Sequence, residues 1–95
     1  MSDEDEAKHD HEHEHEHDFE IVVNTKTHVV PDESVGYEQV VEFAYPGGLA
    51  DPTFIFAVDY EKAKEPPHDG SLVAGHPVEV KKHGTEFSVI RSVRS

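Results

Sequence analysis

The stretch Val35-Gly-Tyr-Glu-Gln-Val-Val-Glu-Phe-Ala44 constrains the fold more than any other part of this chain. Tyr37, Val40, Val41 and Ala44 fall at i, i+3, i+4 and i+7, which makes one apolar stripe along a helix. Gly36 is an acceptable N-cap, Gln39 sits at the third helical position, and Val35 and Val40 have the spacing of a hydrophobic staple. Pro46-Gly47-Gly48 ends the segment. A helix of about two to three turns cannot hold itself together in water. It must lie on a sheet, and the remaining segments have to supply that sheet.

They do so with period-two patterns. Phe19-Glu-Ile-Val-Val23 is β-branched and alternating, with Phe19, Ile21 and Val23 predicted to face the core. Lys26-Thr-His-Val-Val30 is the second strand of a hairpin. Asn24 suits the left-handed turn conformation and Thr25 does not, so the turn is expected to be wider than two residues. Pro31-Asp-Glu-Ser34 breaks the strand before the helix. In residues 53–60, Phe54, Phe56, Val58 and Tyr60 share one face and Ile55 and Ala57 the other, the pattern of an internal strand. A polar loop with Pro66-Pro67 follows, then Ser71-Leu-Val73 as a short strand or turn. Residues 78–81 and 87–89 are predicted to pair around Lys82-His83-Gly84. One helix crossing a mixed sheet of four to five strands, in the order β-β-α-β-β-β, is an α+β, β-grasp arrangement.

Composition divides the chain. Residues 1–18 carry nine acidic and one basic side chain, and the whole chain has a net charge of −13. So polar a segment buries too little to offset chain entropy, and a disordered acidic tail is expected there. The domain is expected at residues 19–89 and a flexible tail at 90–95. The negative balance argues against nucleic acid and against anionic membrane surfaces. No apolar run approaches a membrane span and no signal peptide is recognisable, so a cytoplasmic location is expected. The absence of cysteine excludes disulfides, thiolate zinc sites and a thioester on the chain's own thiol.

Six separated pieces then fall into one register: Phe19-Glu-Ile-Val-Val-Asn24, Val35-Gly-Tyr-Glu-Gln-Val-Val41, Phe56-Ala-Val-Asp-Tyr60, Asp69-Gly-Ser-Leu72, Val78-Glu-Val-Lys-Lys82 with Gly84, and Phe87-Ser-Val89. As an ordered set they resemble the bacterial multiubiquitin family of β-grasp, ubiquitin-like proteins. Thr25 stands where that family usually has glycine, and His83 where aspartate is usual. The resemblance implies a protein modifier without a catalytic residue of its own. Its partners would be a ubiquitin-activating-like enzyme, a conjugating-like enzyme, a deubiquitinating metallopeptidase and the target proteins. The working end would be the carboxyl tail, with Arg91, Ser92, Val93, Arg94 and Ser95 as a stalk that spans roughly 20 Å when extended from Ile90. Arg91 and Arg94 would steer it toward an acidic groove. A terminal Gly-Gly is absent, which weighs against a sulfur carrier of the same fold. Ile55, Ala57, Val78 and Val80 are candidates for an enzyme-docking surface, or are simply core. A non-covalent ubiquitin-like adaptor is the first alternative.

The second alternative is a divalent-metal-binding module. In an extended HEHEHEH run, His11, His13, His15 and His17 line one side and glutamates the other. Neutral imidazole suits Zn, Ni and Cu, so adventitious metal binding is expected, while no intrinsic cofactor is implied. The domain offers no enzyme signature. His68-Asp-Gly-Ser71 holds the residue types of a hydrolase relay, but a Pro-rich loop running into a turn explains it more simply.

Overall fold

The structure, a computed structural model, describes residues 18–94. Strands β1 (Phe19–Val23) and β2 (Lys26–Val30) form the first hairpin. A two-residue strand β3 (Ser34–Val35) leads into helix α1 (Tyr37–Ala44) and a 3-10 turn (Gly48–Ala50). There follow β4 (Phe54–Glu61), β5 (Gly70–Leu72), β6 (Val78–Glu79) and β7 (Thr85–Val93). The main sheet has the order β2-β1-β7-β4-β5, and β3 pairs with β6 in a separate two-stranded ribbon. The sheet is mixed, because β7 runs parallel to β1 and antiparallel to β4. This is the α+β, β-grasp architecture.

Helix α1 begins after Gly36 in an extended conformation, as the sequence implies, and its Val40 and Val41 are fully buried. They meet Ile21, Val23, Val58 and Phe87 from the inward face of the sheet. Val35 is buried beside Val40 in the same core, where a hydrophobic staple would put it. Each fully buried valine or isoleucine contributes about 1.5–3 kcal/mol by removal from water. That face, and not intrinsic propensity, holds so short a helix in place.

Three local expectations change. The first turn has only two residues, with Asn24 at φ 48° and Thr25 at φ 72°, both left-handed. The full β1–β2 register from Phe19↔Val30 to Val23↔Lys26 leaves no space for a wider loop, so pairing on both sides forces Thr25 into a conformation it disfavours. Residues 78–81 do not pair with β7. Val78 and Glu79 pair with β3, the Val80 amide donates to the Glu33 carbonyl, and β7 turns away at Gly84 (φ 100°) to lie beside β1. The buried Thr85 hydroxyl fixes that corner, accepting the Lys81 amide and donating to the Lys62 carbonyl.

The third change concerns the carboxyl end. The last strand does not stop near Val89 but continues to Val93, with Ile90, Arg91, Ser92 and Val93 opposite Ala57, Phe56, Ile55 and Phe54. A flexible segment at 90–95 is therefore corrected for residues 90–93. All eight residues of β4 find partners in β7, across about 25 to 39 positions of sequence. No helix among the described residues is long and apolar enough to cross a membrane.

Candidate interaction surface and carboxyl end

The β4–β7 ladder sorts the candidate residues by the two-residue period of a strand. On the inward face Val58, Tyr60, Phe87 and Val89 are buried, with Phe54 and Phe56 partly covered. On the outward face Ile55 is 46% exposed and Ile90 57% exposed, and Ala57 lies opposite Ile90. Ser88 and Ser92 flank this apolar group along β7. Ile55, Ala57 and Ile90 thus form one patch on the open side of the sheet, away from α1.

Of the four docking candidates, Ile55 and Ala57 belong to that patch. Val80 does not: it is completely buried, because the β3–β6 ribbon folds it into the core. Val78 is partly buried and packs against the same core. Neither is part of the exposed patch. Ile90 falls outside the four sequence-derived candidates because the sequence places it in the tail at 90–95. The alternation of Phe87 and Val89 turns it outward only once the strand continues past Val89.

The carboxyl-terminal candidates divide in the same way. Arg91 points to the helix side, with its guanidinium carbon 4.4 Å from the Phe54 ring centroid and 5.0 Å from that of Tyr45. Ser92 lies on the outward face, and Val93 ends the strand with 68% exposure. Arg94 follows with its amide donating to the Thr53 carbonyl at 2.7 Å and its Nε donating to the Pro52 carbonyl at 2.9 Å. Ser95 lies outside the described residues, as do His11, His13, His15 and His17.

Both open sides of the β4–β7 ribbon are capped where the flanking strands give out. On the β1 side the parallel ladder ends at Val23↔Phe87, and the Asn24 side chain bonds both the amide and the carbonyl of Val89. On the β5 side the ladder ends at Val58↔Leu72, and the Tyr37 hydroxyl donates to the Phe56 carbonyl at 3.0 Å. Unpaired strand edges invite other strands, and side-chain caps blunt them.

Two described side chains have ionisation shifted by their hydrogen-bond partners. The Asp51 carboxyl is held below its ordinary value, first by the Thr53 amide and then by the Thr53 hydroxyl, with the Arg91 charge adding to both. Lys64 is held above its ordinary value by its hydrogen bond to Glu33. Among the described residues Lys62 also pairs with Glu86, and the His83 ring lies 3.3 Å from a Glu20 oxygen; both contacts are exposed and contribute little to stability. Among the described residues no group of three or more His, Asp or Glu side chains is placed to hold a metal ion.

A protein-family model described as Multiubiquitin matches residues 19–92, well over half of the chain. No curated protein and no solved structure matches it.

Proposed function

The chain belongs to the multiubiquitin family, and from that premise we propose that it is a ubiquitin-like protein modifier of a bacterial conjugation-type pathway. A protein of this kind supplies a docking face and a carboxylate; the partner supplies the chemistry. The terminal carboxylate, that of Ser95 or of a residue exposed by trimming, attacks the α-phosphorus of ATP. Pyrophosphate leaves and an acyl adenylate forms. A partner nucleophile then attacks the acyl carbon, and AMP leaves.

The observation that carries this reading is the patch of Ile55 and Ala57 on β4 and Ile90 on β7, on the open sheet face and beside the strand that leads to the carboxyl end. Exposed apolar side chains in one group, rimmed by Ser88 and Ser92, suit protein docking. An activating enzyme, a conjugating enzyme and a deubiquitinating metallopeptidase would each engage this face. Reaching a buried nucleotide requires more than docking. In this reading activation includes releasing residues 90–93, which the ladder to β4 holds in the sheet, and each residue released adds about 3.3–3.6 Å of reach.

The test is incubation with a ubiquitin-activating-type enzyme from the same genome and ATP. The expected result is pyrophosphate exchange and an adduct, both lost when residues 91–95 are removed. Absence of exchange with the intact chain overturns the reading. One observation favours a second function, that of a non-covalent adaptor: the two Arg94 bonds and the ladder to Val93 hold the end down. An adaptor would bind its partner through Ile55 and Ile90 and give no exchange.

A further inference from the structure

Arg91 and Arg94 are the only basic residues of β7 and of the position after it, and neither projects freely. The Arg91 guanidinium lies between the rings of Tyr45 and Phe54, at 5.0 and 4.4 Å. Tyr45 is itself braced from behind, its ring 5.6 Å from that of Phe56 and its amide bonded to the Val41 carbonyl. The cage is therefore built on the end of α1 and the start of β4, two elements fixed by the core.

What this cage restrains is a part of the sheet paired on one side only. Up to Phe87, strand β7 has a backbone neighbour on each side. Val89 has β4 on one side and only the Asn24 side chain on the other. From Arg91 onward, β4 is the sole described strand beside it. A ribbon end paired on one side opens locally far more readily than a central strand. The side chain of Arg91 supplies the restraint that the backbone lacks there. A planar guanidinium stacks on two rings, which a lysine ammonium does less well.

We infer that Arg91 is a positioning residue, a latch that clamps the carboxyl end of β7 onto β4 through Tyr45 and Phe54 and sets how often that end is free for a partner. This latch gains its functional meaning from the carboxyl-end activation described above. Its physical operation is independent of it. The shift is modest by construction: losing one cation–ring contact at an exposed site changes an opening equilibrium by about two- to fivefold.

Amide hydrogen exchange on the full chain, followed residue by residue by NMR, reads the latch directly. In Tyr45→Ala, exchange of Ser92 and Arg94 should accelerate about two- to fivefold, and in Arg91→Ala, which loses both ring contacts, at least as much, with Arg91→Lys between Arg91→Ala and the unmodified chain. Ile21 and Val58 should keep the rates of the unmodified chain. The double variant should open no further than Arg91→Ala alone, because Arg91→Ala already removes the contact that Tyr45 makes with it. Unchanged Ser92 and Arg94 rates overturn the inference, and so does an acceleration shared equally by Ile21 and Val58. With activating enzyme and ATP, Tyr45→Ala keeps both arginines and should form adenylate faster by the same factor. An adenylated chain that Tyr45→Ala does not accelerate overturns the gating role. If exchange behaves as stated and no form is adenylated, the carboxyl-end reading fails and the clamp stands.

Discussion

Asn24 stands in for a strand residue that β1 does not have. Its Oδ1 accepts the Val89 amide at 2.9 Å and its Nδ2 donates to the Val89 carbonyl at 3.2 Å, across 65 positions of sequence. The parallel β1–β7 ladder is thereby carried one step past its last backbone pair. Glycine keeps the left-handed backbone that this position needs (φ 48°) and removes only the side chain. Asn24→Gly should lower stability by about 1–2 kcal/mol, because both Val89 groups lose their partner. Denaturant unfolding checks this as a lower midpoint at unchanged slope.

Thr25 is the opposite case, a side chain that the turn would be better without. At φ 72° its Cβ meets the backbone unfavourably, at a cost of about 1–2 kcal/mol for an L-residue. Its hydroxyl recovers part of this by donating to the Asn24 carbonyl. Thr25→Gly should therefore stabilise the protein by about 0.5–1 kcal/mol net, the added flexibility of the unfolded chain included. A thermal melt that moves downward instead would refute the strain argument.

Val80 and the patch residues should separate cleanly. Val80→Ala removes two methyl groups from a completely buried site and should cost about 1.5–3 kcal/mol. Ile55→Ser and Ile90→Ser lie on the exposed face and should change stability by less than about 0.5 kcal/mol. Partner binding should respond in reverse, weakened by the two surface changes and unaffected by Val80→Ala at a temperature where it remains folded. Titration calorimetry against an activating-type enzyme measures it.

Asp51 should shape the acid limb of the stability curve. Its carboxyl is more acidic folded than unfolded, chiefly through the Thr53 amide at 2.9 Å. Such a group stabilises above its unfolded pKa, and the contribution disappears as pH falls through the folded value. The difference in melting temperature between the unmodified chain and Asp51→Asn should be present at about pH 5 and vanish toward about pH 2. A difference that grows on acidification would reverse the assignment.

The histidine run yields a separate expectation. Replacing His11, His13, His15 and His17 by alanine in the full chain should abolish tight Ni or Zn binding and leave the melting temperature of the metal-free protein unchanged. Retained binding would move the metal site into the domain.

Much of the β-grasp domain is legible because its signals are local. Gly36, the stripe at Tyr37, Val40, Val41 and Ala44, and the Pro46-Gly47-Gly48 stop define α1 within a dozen residues. The alternation in β1 and β4 likewise identifies which side chains face inward. The candidate site is less legible. Ile55 and Ala57 follow from alternation within β4, but their neighbour Ile90 requires knowing that β7 extends beside them. The sequence leaves Val80 open between docking surface and core until β6 pairs with β3 and turns it inward.

The sequence by itself determined the helix, the first hairpin, the inward faces of β1 and β4 and the family pattern, because periodicity and capping act over a few residues. Tertiary structure alone decided the β3–β6 ribbon, where β7 ends and which side chains cap its edges. Those outcomes depend on pairing between segments tens of residues apart: residues 90–93 lie in the sheet beside Phe54–Ala57 of β4, and nothing local to them specifies that partner.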